Sequence, residues 1–436
     1  MANTAFDEAQ PSADARPRTA ATPAEPVEMD GRDVRPIPRI SIQAFCESQE
    51  LAETIGAASS DRRMARTHSK VHMGGIVAAT EFYGAAPTPN LIIVESTLPR
   101  DRLLHELERM SEVCDPGSKV VVVGHMNDVE LYRELARRGV SEYMVAPLNV
   151  LQVIAAISEL YTDPEADPLG RTVAFIGAKG GVGSSTVSHS VAFALARNFG
   201  SDVVLADLDV AFGTAGLDFN QDPTQGIAEA IYAPDRLDDI FLDRLLSRCT
   251  DHLSLLAAPA TLDRTMDYGE AALEPVIDVA QASVPMVILD LPHMWTGWVK
   301  RTLIAADEIV LTLEPDLANL RNAKNMLDLL RQARQNDSAP LVVLNRVGLG
   351  KRPEIKVEEF TRALEVEPIA VIPFDGYLFG TAANNGQVVA EVDAKSSVSE
   401  AFDKIARAVS GKMEARRVKR QGLSSVLARW RGKKAG

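Results

Sequence analysis

AFIGAKGGVGSST, residues 174–186, decides how this chain is read. An apolar run enters a glycine-rich turn, and the helix-forming stretch STVSHSVAFALARNF leaves it. A strand, a glycine turn and a helix in that order make a phosphate cradle. Backbone N–H groups converge on one point, and the helix dipole adds positive potential there. The ordinary pattern is G-x-x-x-x-G-K-[ST], whose lysine reaches the phosphate oxygens and whose hydroxyl binds Mg²⁺. Here Ala178 stands at the first glycine position and Ser184 at the lysine position. The cradle is therefore predicted with one of its usual charges missing.

Downstream, DVVLADLDVAFGTAGLDF delivers Asp207 and Asp209 at the end of an apolar strand, and MVILDLPHMW does the same for Asp290. Open α/β sheets bind ligands at the carboxyl ends of their strands, so these carboxylates fall on the side where the glycine turn lies. Further strands are expected in EIVLTLE, PLVVLNRV and the short run PIAVIPFD. Continuous apolar strands alternating with helical stretches predict a parallel sheet covered on both faces, over residues 171–412.

A smaller version of the same alternation precedes it over residues 39–161. RISIQAF, LIIVES, KVVVVG and EYMVAP read as strands, and DRLLHELERMSEV, DVELYRELARRGV and NVLQVIAAISELY as amphipathic helices. Residues 1–38 carry six prolines among Ala, Asp, Glu and Arg, a composition that predicts a disordered tail. TDPEADPLGR, bearing two prolines and three acidic residues, makes 162–170 the expected linker.

Composition narrows the function classes. A net charge of −14 argues against a nucleic-acid coat. Three scattered cysteines, Cys46, Cys114 and Cys249, give neither a disulfide framework nor a zinc pattern. No stretch is apolar for long enough to cross a bilayer, and the first residues lack the apolar core of a signal peptide. The last stretch reverses the charge: residues 412–436 hold nine Lys/Arg and one Glu, +8 within the total of −14. Leu423, Val426, Leu427 and Trp430 there share one helical face flanked by arginines and lysines. That pattern suits an interfacial helix on anionic lipid or a docking contact with a partner protein. The basic tail is taken as residues 413–436.

The first unit resembles the receiver domains of two-component response regulators. By position its phosphorylatable aspartate is Glu95, its acidic pair is replaced by Ala44-Phe45-Cys46, and its lysine by Ala146 beside Pro147. These departures remove the nucleophile and the metal set, so the resemblance implies a receiver-shaped interaction module. The second unit resembles the MinD/ParA family of deviant P-loop ATPases, through K-G-G-V-G, D-L-D, the strand-end Asp290, L-N-R and I-P-F-D. Lys179 matches the family's signature lysine, which reaches a partner's bound phosphates across a nucleotide-sandwich homodimer. Lys179 without a lysine at 184, behind a receiver-like unit, resembles the TadZ/CpaE group, which serves Flp-type (Tad, type IVb) pili.

That resemblance implies ATP and Mg²⁺ as cofactors. The backbone of Gly180, Gly181, Val182, Gly183 and Ser184 would cradle phosphate, with Ser185 on Mg²⁺ and Thr186 near the α-phosphate. Asp209 would orient the attacking water, while Asp207 and Asp290 order the metal shell. Asn345, Arg346 and Pro373 would surround the base. The expected function is a dimerising, slowly hydrolysing spatial organiser of a pilus or secretion machine, with machinery proteins meeting the receiver-like unit. Its expected place is the cytoplasm, peripheral to the inner face of the plasma membrane or the cell pole where the tail attaches. A ParA-type DNA-partitioning ATPase, a non-hydrolysing nucleotide-bound scaffold and a response regulator with an ATPase output are the alternatives. The acidic body makes DNA the weaker partner.

Overall fold

The strand that feeds the glycine turn lies inside its sheet, with three strands on one side and four on the other. The computed structural model describes residues 34–162, 169–260, 262, 268–350 and 352–411. Most of the proline-rich tail, residues 163–168 of the linker and the basic tail lie outside the described residues.

The first unit holds β1 (Ser41–Cys46), β2 (His68–Met73), β3 (Leu91–Glu95), β4 (Lys119–Gly124) and β5 (Glu142–Val145), all parallel in the order β2-β1-β3-β4-β5. Side chains alternate across the sheet, so Leu91 and Ile93 face one layer while Ile92 and Val94 face the other. Helices Gln49–Ser59 and Val150–Leu160 cover the first face; Gly75–Tyr83, Arg100–Ser111 and Val129–Arg137 cover the second. This is the doubly wound, receiver-like layout that the alternation predicts. β2 is the strand absent from the sequence reading. HSKVHM has no apolar run because it sits at the sheet edge, largely exposed, where neither face needs continuous burial. Val34 and Ile37 pack into the first face, so the folded unit begins ahead of residue 39.

Glu95 ends β3 fully buried. Its carboxylate accepts from the N–H groups of Glu47 and Ser48 at 2.7 and 2.8 Å and from Ser48 Oγ at 2.7 Å, with His125 Nε2 at 3.1 Å. A carboxylate out of water is tolerated when its oxygens are satisfied in this way. Ala44, Phe45 and Cys46 are buried within β1. The first loop residue is Glu47, whose Oε2 accepts from Thr97 N at 2.9 Å and Thr97 Oγ1 at 2.6 Å. Glu95 therefore staples three loops together.

The larger unit contains β6 (Arg171–Gly177), β7 (Val203–Asp207), β8 (Ser247–Arg248), β9 (Leu253–Leu256), β10 (Met286–Asp290), β11 (Glu308–Leu313), β12 (Leu341–Val347) and β13 (Ala370–Pro373). Their order is β13-β12-β11-β6-β10-β7-β9-β8, parallel except for the short β8–β9 pairing. One face packs on helices Ser184–Phe199 and Ser397–Ser410; the other packs on Glu274–Ser283, Gly297–Ala305, Leu317–Ala333 and Val357–Leu364. Burial on both faces explains the unbroken apolar runs of β6, β7, β10 and β11. Among the described residues no helix is long and apolar enough to cross a membrane.

Glu95→Gln preserves size but sets an amide NH₂ among donors. The receiver-like unit should lose roughly 1–3 kcal/mol, read as a lower urea midpoint. Burial alone would raise the Glu95 carboxyl, but the bonds from Ser48, Glu47 and His125 outweigh it and hold the group below its ordinary value of 4.5. A depressed carboxyl stabilises the fold above its unfolded pKa, and that contribution is lost as pH falls through the folded one. Wild type should therefore shed stability below pH 4.5 that the variant lacks. Identical acid limbs in the two proteins would count against this role.

Candidate nucleotide site

The glycine turn is held from three sides. Ala178 N donates to the Thr312 carbonyl at 3.0 Å, Asn322 Nδ2 donates to the Ala178 carbonyl at 2.8 Å, and Asn345 Nδ2 donates to the Val182 carbonyl at 2.8 Å. Gly181 and Gly183 take positive φ, +79° and +83°, a backbone region costly for residues with a Cβ. At Gly183 a Cβ would also stand 2.7 Å from Asn345 Nδ2. Ala178 is wholly buried, so the turn accommodates a methyl group where the ordinary motif has glycine. Helix Ser184–Phe199 starts directly from Gly183 without a side-chain cap, leaving its first N–H groups facing the turn. Ser184 Oγ is buried without a hydrogen-bond partner.

Beside the turn, β7 and β10 bring Asp207 and Asp290 together at paired register positions, both buried. Asp207 accepts from the N–H groups of Asp209 and Ala215 at 3.2 and 3.0 Å, and the Gly213 backbone lies too close for any Cβ. Asp290 Oδ1 is an orphaned buried oxygen. Burial, then the charge of Asp290, push the Asp207 carboxyl up to about 7, as two carboxylates sharing a dry site must. Asp209 lies in the loop after β7, less buried, with Oδ1 accepting from Phe212 N at 3.1 Å.

A cation absent from the sequence reading faces this pair. His189, on the helix that leaves the turn, is wholly buried, with Nδ1 2.7 Å from Asp218 Oδ2 and Nε2 3.3 Å from Asp290 Oδ2. Burial alone would lower the imidazole, but the two carboxylates outweigh it and push it up to about 10. His293 also escaped the sequence reading; its Nδ1 lies 2.9 Å from the Gly177 carbonyl. Lys179 stays near the surface, its Nζ 3.4 Å from Asp316 Oδ2, while Asn319 holds Asp316 through its backbone N–H at 2.8 Å and Nδ2 at 2.9 Å.

A cavity of about 270 Å³ opens beside the turn, lined by Gly183, Thr186, Asn345, Arg346, Phe374 and Gln387 among others. Arg346 has φ +55° and donates through Nη1 to the buried Glu314 at 3.0 Å. Pro373 is the last residue of β13, and the cavity wall is its neighbour Phe374. The structure thus gathers residues 179–186, Asp207, Asp209, Asp290, Asn345 and Arg346 around one strand edge. Those residues fit a magnesium nucleotide: an uncapped helix start for phosphate, an orphaned carboxylate oxygen for the metal, a cavity for the base. Among the described residues no group of three or more His, Cys, Asp or Glu could hold a metal. Mg²⁺ here would complete its shell with a hydroxyl, water and phosphate oxygens, as this ion commonly does.

A parallel sheet with this turn and these strand-end aspartates defines the class, a P-loop fold of MinD/ParA type. A model of the AAA domain family matches residues 170–342. The septum site-determining protein MinD of Bacillus subtilis is 26% identical over 258 residues, 56% of this chain and 90% of that protein. A ParA family ATPase from Chlorobium tepidum TLS is 26% identical, with TM-score 0.50, covering 54% of this chain and 98% of that one. A pilus assembly protein CpaE from Caulobacter crescentus CB15 is 53% identical over 98% of its own length and 30% of this chain, with TM-score 0.29. The chain belongs to the CpaE/TadZ type of the MinD/ParA family.

Two glycine substitutions separate geometry from composition. Gly183→Ala combines a strained positive φ with a close contact to Asn345 Nδ2 and should cost roughly 1–3 kcal/mol in thermal unfolding, with loss of binding of a fluorescent ATP analogue. Gly180→Ala meets only His293, at 3.6 Å, and should stay within about 0.5 kcal/mol of wild type. Equal losses in the two would refute the cradle geometry.

Proposed function

We propose that the chain binds ATP with Mg²⁺ in this cradle, pairs with a second copy through the nucleotide face, and hydrolyses ATP slowly. In that form it would act as a spatial organiser or assembly factor for a Flp (Tad, type IVb) pilus or a related secretion machine. One observation carries the nucleotide reading: an uncapped helix start and an orphaned Asp290 oxygen converge on a turn whose own lysine is replaced by Ser184. The machine is suggested by the pilus assembly protein CpaE, a relative at 53% identity.

The roles follow from position. Amides of Gly180, Gly181, Val182, Gly183, Ser184 and Ser185 hold the phosphates, with Thr186 near the α-phosphate. The Ser185 hydroxyl, Asp207 and Asp290 order Mg²⁺, which supplies charge neutralisation at the transferring phosphate. Asp209, in the loop outside the buried pair, orients the attacking water. Asn345 and Arg346 border the base cavity. A charge-assisted hydrogen bond is worth roughly 1.5–3 kcal/mol, so losing the lysine at 184 weakens the cradle by about tenfold or more. Lys179 can restore that charge from a second copy. Phe212 and Leu317, beside Asp209 and Asp316, are 72% and 73% exposed and suit such a contact. The receiver-like unit, its Glu95 satisfied internally, presents a docking surface for machine proteins and takes no phosphoryl group. The basic tail adds attraction to an anionic membrane, about 1 kcal/mol for each basic residue at the surface.

Single-turnover hydrolysis in wild type, Lys179→Ala and Asp209→Ala tests the enzymatic part. Wild type should exceed both variants by at least about tenfold, and ATP-dependent dimers should vanish in sedimentation of Lys179→Ala. Equal background rates in all three would leave a nucleotide-bound scaffold. Removal of residues 412–436 should abolish sedimentation with anionic liposomes. Unchanged sedimentation would mean that the tail is not the anchor.

A further inference from the structure

The two sheets meet at a cluster of arginines and aspartates that neither strand-edge site uses. The turn Arg62–Met64, between the first helix and β2, presents guanidinium groups to the larger unit. Arg62 Nε donates to Asp337 Oδ2 at 2.8 Å and its Nη1 to the Ala305 carbonyl at 2.8 Å, with Asp307 Oδ1 3.3 Å away. Arg63, its side chain wholly buried, donates to Asp61 Oδ1 at 2.8 Å and shares Asp337. From the other side, Arg334 Nε stands 3.3 Å from Asp337 Oδ2, and Asn336 Nδ2 donates to Asp61 Oδ2 at 2.9 Å. Three arginines thus face three aspartates, Asp61, Asp307 and Asp337, and the charge of buried Glu308 also acts on Arg334. Burial alone would raise the Asp337 carboxyl, but Arg62, Arg334 and Arg63 hold it below its ordinary value.

Charges removed from water are tolerated only where each has its partners, and withdrawing one partner leaves the others stranded. Rotation or sliding of either unit would do that to Arg63, Asp337 and Arg334 together. The cluster therefore specifies one relative orientation, as the exposed Arg66–Asp278 pair at 2.7 Å on its rim does not. Every cross-junction bond of Arg62 described above goes to the larger unit, so its side chain contributes to the seating. The seat also reaches the cradle strand: Asp307 Oδ2 accepts from Thr172 N at 2.9 Å and Thr172 Oγ1 at 3.1 Å, at the start of β6.

We propose that the receiver-like unit is seated on the larger unit by this cluster as a single body, independently of the covalent connection over residues 163–168. A partner held by the receiver-like unit is then carried at a fixed orientation to the nucleotide face, which stays open at the opposite ends of the strands.

The experiment cuts the full chain once, at a protease recognition sequence inserted between residues 162 and 169, and measures whether the two pieces remain associated. Wild-type pieces should co-elute on size exclusion. Arg62→Ala should weaken their association by roughly thirtyfold or more, the cost of truncating a buried charge pair at an interface. Arg66→Ala should stay within about fivefold of wild type. Arg62→Gln, run beside these, keeps side-chain volume and a donor but removes the charge, and should also separate the pieces. Wild-type pieces that part on cutting, or an Arg62→Gln protein that associates like wild type, would overturn the seating.

Discussion

Two carboxylates at the ends of adjacent buried strands set the terms for the larger unit. Asp207 and Asp290 cannot be moved apart, because β7 and β10 pair in register up to those residues. They cannot be hydrated, because both are buried. Charge in that position has to be met by something positive or by a proton. The fold supplies part of the answer through His189, anchored to Asp218 on its far side, and leaves Asp290 Oδ1 without a partner. The chemistry of the site follows from that remainder: a cation beside a helix start, next to a turn that presents backbone donors.

The same topological position is resolved differently in the smaller unit. Glu95 also ends a buried parallel strand, yet its oxygens are taken by Glu47, Ser48 and His125. Nothing is left over to recruit a metal or a phosphoryl group. Similar layer architecture therefore gives one strand edge that is chemically closed and one that is open. The difference lies in whether nearby loops satisfy the carboxylate.

Much of this was legible in the sequence for a physical reason. Strands buried on both faces must be continuously apolar, so a polar residue at their end stands out, and Asp207 and Asp290 were found that way, whereas Glu95 was placed by the receiver resemblance. The glycine turn was legible because Gly181 and Gly183 need a backbone region that other residues avoid. What escaped lacks such a signature. β2 is polar because it is an edge, and the β8–β9 pairing involves a strand of two residues. Ile37, a lone aliphatic between two prolines, gives no period, although it is buried. His189 sits in a helix of small residues, and only the fold shows that Asp218 and Asp290 flank it. The arginines of the junction are ordinary surface residues in sequence; the partners of Arg62 and Arg63 across it lie more than 200 positions away.

The position of positive charge ties these features to the proposed activity. In the ordinary loop a lysine at position 184 would neutralise phosphate from within the cradle of one chain. Here the residue is Ser184, its hydroxyl buried and unpaired, while the signature Lys179 is near the surface, held by Asp316. A single chain thus offers backbone dipoles and a metal pair but little full charge, and the missing charge projects from the face that a second copy would meet. On the proposed function, tight nucleotide binding would be coupled to pairing by charge balance, since a nucleotide held by one chain would be under-neutralised until another lysine arrived. Catalysis would gain less, because an exposed lysine on a flexible stem must be ordered each time. Slow turnover with strong coupling to assembly is what that distribution of charge favours, and it suits an organiser better than a motor.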